Sequence, residues 1–123
     1  MTTPTQLGFV SLQVSDLDAS RQFYTDVLGF QPATPSPPDA CVFATQRGAL
    51  FAIRKPLVDL QATSRLGWGV GLWFEVRELT ALLARLEGKA VLIRGIQATP
   101  FGNTAIISDP DGYWLTLQEA PAA

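Results

Sequence analysis

The stretch Leu12-Gln-Val-Ser-Asp-Leu17 returns later in the chain as Phe74-Glu-Val-Arg-Glu-Leu79, with hydrophobic and acidic residues in corresponding places. In each copy, apolar residues that alternate in twos give way to apolar residues at helical spacing, which predicts a strand followed by a helix. Two turn glycines, Gly48 and Gly112, are separated by almost the same number of residues as the two copies of this stretch. The sequence therefore predicts two copies of one β-α-β-β-β module.

The remaining elements follow from alternation and from turn residues. A helix that ends at Gly29 and a second that ends at Gly88 are predicted from their apolar spacing. Asp109-Pro-Asp-Gly112 predicts a tight turn before the last strand. The predicted strands are residues 9–14, 30–34, 41–45, 49–54, 70–76, 90–93, 104–108 and 113–118. We expect one domain over residues 1–123, with module 1 at about 7–54, module 2 at about 68–119 and a linker at 55–67.

The composition excludes several classes of active site. The chain contains no histidine, so it cannot form a Ser-His-Asp or Cys-His nucleophile system, a histidine-containing zinc site or a two-histidine iron site. Cys41 is the single cysteine, which rules out a disulfide within the chain and a thiolate metal cluster. It lies in an apolar run, so we expect an inert side chain.

The charge balance and hydropathy indicate which partners to expect. Nine basic and eleven acidic residues give a net charge of -2, so no nucleic-acid partner is expected. The sequence shows neither the pattern of a signal peptide nor an apolar stretch of membrane-spanning length. We therefore expect a cytoplasmic protein with no membrane partner.

Alternation also assigns the strand residues to two faces. The apolar face is expected to pack against the helices, and its members are Val10, Leu12, Val14, Val70, Leu72, Phe74, Val76, Tyr113, Leu115 and Leu117. The opposite face is mixed, and its members are Phe9, Ser11, Gln13, Ala52, Arg54, Gly71, Trp73, Glu75, Trp114, Thr116 and Gln118. Aromatic walls with a few polar groups are typical of a ligand cavity. A dimer interface or a solvated face is the alternative interpretation.

Four motifs carry a resemblance to a known family: Val14-Ser-Asp-Leu-Asp-Ala-Ser20, Phe23-Tyr-Thr-Asp-Val-Leu-Gly-Phe30, Pro100-Phe-Gly-Asn103 and Asp109-Pro-Asp-Gly-Tyr113. With these motifs in this order, nearly the whole chain resembles the vicinal oxygen chelate superfamily. That superfamily includes glyoxalase I, extradiol dioxygenases, fosfomycin-resistance enzymes and bleomycin-resistance proteins. The resemblance implies an α+β fold in which two βαβββ modules form a curved open barrel around a cavity, and it implies a homodimer.

The resemblance also locates the positions at which the family's enzymes hold a metal ion with His, Glu or Gln side chains. These positions are Phe9, Ala52, Gly71 and Thr116. The first three side chains cannot coordinate an ion, and a single hydroxyl is a weak ligand for a hard cation. We therefore predict no metal and no cofactor. Because it lacks these ligands, the chain is similar to the metal-independent branch of the family, which is typified by bleomycin-resistance proteins.

In that branch, flat parts of a ligand stack between aromatic side chains in a dimer groove. The resemblance thus implies a small-molecule ligand, flat or cationic, and assigns no catalytic residue. The expected ligand-binding residues are Phe9, Ser11, Arg54, Trp73, Glu75, Phe101, Trp114 and Thr116. Trp68 is a further stacking candidate, although packing is its expected role. Glu75 could meet a cationic group and Arg54 an anionic one, or the two could pair with each other.

The leading hypothesis is metal-independent binding of a small molecule, with antibiotic sequestration as one form of it. A second is a metal-free isomerase or lyase in which Glu75 is the base and Arg54 stabilises an oxyanion. A third is a metal-dependent glyoxalase- or dioxygenase-like enzyme with displaced ligands such as Glu75, Asp109 or Glu119. A regulatory subunit with an unused cavity also stays open.

Gly67-Trp-Gly-Val-Gly71 is not a dinucleotide motif, because it does not join a strand to a helix; we interpret it as room for close backbone approach.

Overall fold

The computed structural model describes residues 4–34, 36–46 and 49–121. The chain divides into two units, Met1–Ala62 and Thr63–Ala123, and the division falls inside the predicted linker. The first unit contains β1 (Phe9–Gln13), α1 (Leu17–Gln22), a π-helical turn (Phe23–Val27), β2 (Gln31–Pro32), β3 (Ala40–Ala44), β4 (Leu50–Arg54) and a 3₁₀ turn (Leu60–Ala62). The second contains β5 (Leu72–Val76), α2 (Leu79–Leu86), β6 (Val91–Thr99), β7 (Gly102–Ser108) and β8 (Trp114–Glu119).

Each unit forms one four-stranded mixed sheet with the same strand order. Sheet 1 runs β1-β4-β3-β2, and sheet 2 runs β5-β8-β7-β6. In both, the first strand pairs parallel to the last one, and the other neighbours are antiparallel. The equivalent pairs Gln13–Arg54 and Glu75–Gln118 have the same place in the two sheets. The predicted βαβββ repeat is therefore confirmed, and neither sheet is closed.

The core of the first unit is an aromatic cluster between its helical segment and sheet 1. The rings of Phe43 and Phe51 stack with centroids 5.6 Å apart, and Tyr24 meets Phe51 edge-on at 5.1 Å. The sequence predicts one continuous helix here, but the helix widens at Phe23, whose carbonyl accepts from the amide of Leu28. Phe23 and Tyr24 are both buried in this turn, and the Tyr24 ring contacts Phe43 and Phe51 of sheet 1.

The core of the second unit lies between α2 and the apolar face of sheet 2. Leu79, Leu82 and Leu86 are buried at helical spacing, and α2 packs on β7 and β8. Leu115 and Leu117 of β8 are fully buried on that face. This burial accounts for the strict alternation in β8, since a shift by one residue would expose both leucines.

Three local predictions differ from the structure. β6 is longer than residues 90–93, because register shifts after Leu92 and Arg94 break the alternation on which the prediction depends. The strand at 30–34 is reduced to Gln31–Pro32. Val70, which we expected on the apolar face, is 66% exposed because β5 begins only at Leu72.

The predicted turns at Pro35 and at Arg47-Gly48, and with them the Gly48–Gly112 comparison, lie outside the described residues. No helix in the described part of the chain is long and apolar enough to cross a membrane.

Candidate functional site

One face of sheet 2 points away from α2, and most of the predicted ligand-binding residues of the second module lie on this face. We call it the open face of sheet 2: Trp73, Glu75, Trp114, Thr116 and Gln118. Trp73 pairs with Thr116, and Glu75 pairs with Gln118, in the parallel register of β5 and β8. Both tryptophans are close to half exposed, at 48% for Trp73 and 45% for Trp114. The strand geometry thus places two aromatic and three polar side chains on one surface.

Phe101 borders this face on the turn between β6 and β7. Its ring meets Trp73 edge-on, with centroids 6.1 Å apart. Two hydrogen bonds fix the turn: the Gln118 side-chain amide donates to the Phe101 carbonyl at 2.8 Å, and the Phe101 amide donates to the Thr99 hydroxyl at 3.1 Å. Phe101 is therefore held as a wall beside Trp73 although its own side chain is exposed.

Gly71 lies beside Trp73, just before β5. A Cβ at Gly71 would come within 3.4 Å of the Trp73 indole nitrogen. That distance is an ordinary van der Waals contact, so a methyl group at Gly71 would rest against the indole. Gly71 has no side chain, so it neither covers this edge of the indole nor offers a donor atom to a metal ion.

Trp114 also belongs to a second aromatic feature, which it forms with Trp68 and Arg65. The guanidinium carbon of Arg65 is 4.4 Å from the ring centroid of Trp114 and 4.5 Å from that of Trp68. We call the two indoles with the space between them the tryptophan clamp. Trp68, for which we expected a packing role, is 73% exposed, because it lies on a turn and not in the core. Sequence reasoning missed Arg65 altogether.

The tryptophan clamp depends on a contact between Gly67 and Tyr113, the residues that precede Trp68 and Trp114. Gly67 has a φ of +73°, and a Cβ there would lie 3.1 Å from Cδ1 of Tyr113. The Gly67 carbonyl accepts from the Val70 amide at 3.0 Å, which closes the turn that carries Trp68. Close approach was predicted for this glycine-rich stretch, and it is made to the ring of Tyr113.

The predicted residues of the first module lie on the corresponding face of sheet 1. Ser11 pairs with Ala52 and Gln13 pairs with Arg54, and Phe9 is 61% exposed at the start of β1. Gln13 has a local structural role, since its side-chain oxygen accepts from the amides of Leu57 and Val58. The Arg54 guanidinium donates to the Lys55 carbonyl at 3.2 Å. Phe9, Ser11 and Arg54 thus share one face of their own sheet.

The first unit also has an open cavity of about 800 Å³ that the sequence did not predict. It lies beside the start of α1, and Asp16, Arg21 and Lys55 are among its lining residues. Cys41 lies at its wall, and burial raises the pKa of this thiol above its ordinary value while the Arg21 guanidinium opposes the shift. A protonated, buried thiol is a poor nucleophile, as the sequence led us to expect.

The four positions that the resemblance assigns to the family's metal ligands carry side chains that do not fit an ion. Phe9, Ala52 and Gly71 offer no donor atom, and Thr116 offers one hydroxyl. In residues 4–34, 36–46 and 49–121, no three His, Cys, Asp or Glu side chains lie close enough together to hold a metal.

Two of the displaced ligands that we considered, Asp109 and Glu119, accept hydrogen bonds from backbone amides. Asp109 accepts hydrogen bonds from the amides of Asp111 and Tyr113, both at 2.9 Å. Glu119 accepts from the amide of Leu79 at 2.8 Å. Both carboxylates therefore stabilise the fold: the first holds the turn before β8, and the second satisfies a donor at the start of α2.

The family model of the Glyoxalase/Bleomycin resistance protein/Dioxygenase superfamily matches residues 6–117. The chain belongs to this superfamily. The resemblance seen in the sequence is thereby confirmed at the level of the superfamily. No curated protein sequence matches the chain.

Solved structures of this superfamily have the same fold. A glyoxalase-related enzyme from Fulvimarina pelagi is 28% identical, with a TM-score of 0.74 over 96% of this chain and 90% of that one. An antibiotic-binding protein from Streptomyces sp. CB03234 is 22% identical, with a TM-score of 0.74 over 98% of this chain and 100% of that one. A glyoxalase/bleomycin resistance protein from the same organism is 25% identical, with a TM-score of 0.70 over 91% and 98%. The predicted α+β fold is confirmed.

Proposed function

We propose that this protein binds a flat small molecule on the open face of sheet 2, without a metal ion and without altering the molecule. Sequestration of an antibiotic is one form of this function. The observation that carries the proposal is the exposed aromatic surface of Trp73, Phe101 and Trp114. Exposed rings that are fixed in place bind flat groups at little cost in side-chain entropy, because few rotamers are lost.

The polar residues on the same face provide orientation. Thr116 and Gln118 lie between the aromatic walls on β8, and the exposed Glu75 carboxylate next to Gln118 favours a ligand with a positive charge. A flat body held by a few polar groups is the usual composition of a small-molecule site. Phe9, Ser11 and Arg54, which share one face of sheet 1, are proposed as ligand-binding residues of the first unit.

Two observations support binding without a metal and without turnover. The side chains at Phe9, Ala52 and Gly71 remove the donors on which the family's metal-assisted reactions depend. A solved relative with the same fold is described as an antibiotic-binding protein. Glu75 as the base of a metal-free isomerase or lyase is the alternative, and it requires that the bound molecule be chemically changed.

The test is calorimetric titration of the purified protein with bleomycin and with a panel of flat cationic antibiotics. We expect binding by at least one of them, unchanged by a chelator, with the ligand recovered intact by mass spectrometry. Trp73→Ala should weaken binding by about tenfold or more, as expected for loss of one stacking surface. Leu57→Ala is the control, since Leu57 is 67% exposed but lies outside both sheets.

Each part of the proposal has its own contrary result. Absence of binding across the panel, in protein that is folded by circular dichroism, would overturn it. Loss of binding on chelation contradicts metal independence. A chemically changed ligand contradicts a purely binding function, and a loss of turnover in Glu75→Gln would then favour the isomerase or lyase.

We also propose that the protein is a cytoplasmic homodimer. The edge strand β6 exposes Val91, Leu92 and Ile96 by 63%, 55% and 44%, and apolar edge strands are typical of surfaces that associate. The free thiol of Cys41 is compatible with a reducing compartment. Sedimentation equilibrium should give twice the chain mass of 13.3 kDa, and Leu92→Lys should reduce it. A single-chain mass in the unsubstituted protein contradicts the dimer.

A further inference from the structure

Arg65 occupies the tryptophan clamp in the structure. Its guanidinium lies over the faces of two indoles at 4.5 Å and 4.4 Å, well within the range in which a cation is attracted to an aromatic ring. In the described residues 4–34, 36–46 and 49–121, no carboxylate and no hydrogen-bond acceptor holds this guanidinium. The rings alone therefore keep the Arg65 head group in place.

The two walls of the clamp are better fixed than their occupant. Trp114 begins β8 directly after Tyr113, whose amide donates to Asp109. Trp68 follows Gly67, which packs on the Tyr113 ring and closes its turn by a hydrogen bond to Val70. The Arg65 side chain, by contrast, is long and exposed, so its charge returns to water freely when it leaves.

We infer that the tryptophan clamp is a binding site for a flat cationic group of the ligand, such as a guanidinium, an amidinium or a protonated heteroaromatic ring, and that Arg65 fills this site until the ligand displaces it. The inference rests on the proposed function and makes it more specific, since it names the ligand's charge and shape. A flat cation gains both stacking and attraction to the two ring faces, whereas a neutral flat group gains stacking alone. The chemistry of the present occupant thus indicates the chemistry of the ligand.

Arg65 acts as a tethered competitor. Because it belongs to the same turn region as Trp68, its effective concentration at the clamp is high, and every ligand must compete with it. Two cation–π contacts of ordinary exposed strength correspond to an affinity about five- to thirtyfold lower than that of an empty clamp. Removal of the arginine should therefore strengthen binding, although it removes no other contact of the site.

The experiment is a fluorescence titration with proflavine, a flat aromatic cation, and with acridine in its neutral form. In Arg65→Ala we expect proflavine to bind about five- to thirtyfold more tightly than in the unsubstituted protein, and neutral acridine to gain less. Arg85→Ala is the matched control, because it removes one exposed positive charge on α2, away from the clamp. Adding Trp68→Ala to Arg65→Ala should abolish the gain.

A second measurement needs no ligand. The side-chain protons of Arg65 should show upfield NMR shifts from the two indole rings, and Trp68→Ala or Trp114→Ala should each reduce them. Ordinary Arg65 shifts would overturn the occupied clamp. Equal proflavine affinity in Arg65→Ala, Arg85→Ala and unsubstituted protein, with binding still weakened by Trp73→Ala, would overturn this inference and leave the proposed function standing. No binding of either probe by any folded variant would overturn this inference, and the proposed function would fall with it only if the antibiotic panel also showed no binding.

Discussion

Gly67 lies directly against the ring of Tyr113, so that a Cβ on the glycine would be 3.1 Å from Cδ1 of the tyrosine. The contact joins a turn to the strand that begins at Trp114. The next residue of each segment is a tryptophan, and the ring centroids of Trp68 and Trp114 lie 4.5 Å and 4.4 Å from the same guanidinium carbon, that of Arg65. One missing side chain thus determines the geometry of the tryptophan clamp.

Gly67→Ala should lower the free energy of unfolding by about 2–3 kcal/mol, because it combines a left-handed φ of +73° with a steric clash. The measurement is urea denaturation, read by tryptophan fluorescence.

Gly69→Ala provides the matched control for this substitution. Gly69 has a φ of +88° but open space around its Cβ position, so only the backbone strain of about 1 kcal/mol is expected. If the two variants lose the same stability, the contact of Gly67 with Tyr113 contributes nothing, and the clamp must owe its geometry to another contact.

Asp109→Ala should destabilise the turn before β8. The carboxylate is 5% exposed and accepts from the amides of Asp111 and Tyr113, so its removal takes an acceptor away from both backbone donors. The expected loss is about 2–3 kcal/mol in free energy of unfolding. Asp109→Asn keeps one side-chain acceptor and should lose about half as much. Equal losses in the two variants would show that the hydrogen bonds are not the source of the effect.

Much of the fold could be predicted because the same local signals occur twice. Alternation from Leu12 to Val14 and from Phe74 to Val76 follows directly from burial of one face of each sheet. The exceptions lie where the backbone departs from a regular period. The π turn at Phe23 and the bulges after Leu92 and Arg94 change which side chains face the core, and residue spacing alone does not report this.

The candidate site was predictable only where it lies on regular strands. Trp73 and Trp114 share a face because β5 and β8 alternate, and this could be inferred from the sequence. The position of Arg65 could not be inferred, because it depends on a turn whose conformation is fixed by the ring of Tyr113, far along the chain. Two glycines around Trp68 were the available signal, and they indicated a close approach without naming the partner.

Glu119→Ala should weaken the start of α2. Glu78, which precedes this helix, has a left-handed φ of 50° and makes no side-chain capping bond. Glu119 from β8 takes over this role, with its carboxylate 2.8 Å from the Leu79 amide. We expect a loss of about 1 kcal/mol and faster hydrogen exchange at the Leu79 amide. Glu119→Gln keeps an acceptor and should retain most of the protection; exchange that is unchanged in the alanine variant would contradict the assignment.

Gln118→Leu should weaken ligand binding on the open face of sheet 2 as well as the turn that carries Phe101. The side-chain amide of Gln118 fixes the Phe101 carbonyl, and Phe101 forms the wall beside Trp73. Loss of one hydrogen bond of about 1 kcal/mol corresponds to about fivefold weaker binding of a flat probe. Proflavine titration measures the effect, with Gln97→Leu on β6 as the control. A fully retained affinity would show that Gln118 neither contacts the ligand nor positions Phe101 for binding.

The buried Cys41 thiol predicts a specific loss of stability at alkaline pH. Cys41 is 4% exposed, and burial raises its pKa in the folded protein above the value in the unfolded chain, with the Arg21 guanidinium as a weaker opposing influence. Above about pH 8.5 the unfolded chain releases the thiol proton while the folded chain keeps it. Deprotonation therefore favours unfolding.

The contribution of this thiol is fully present below its unfolded pKa and is lost as the pH rises through the folded pKa. The free energy of unfolding, compared between the unsubstituted protein and Cys41→Ala, should thus show a difference that shrinks with rising pH. Subtracting the variant removes the contribution of lysines and tyrosines, which titrate in the same region. A difference that stays constant would mean that burial leaves the pKa of the thiol unchanged. A difference that grows would mean that folding lowers this pKa, and Cys41 would then become a candidate nucleophile at the wall of its cavity.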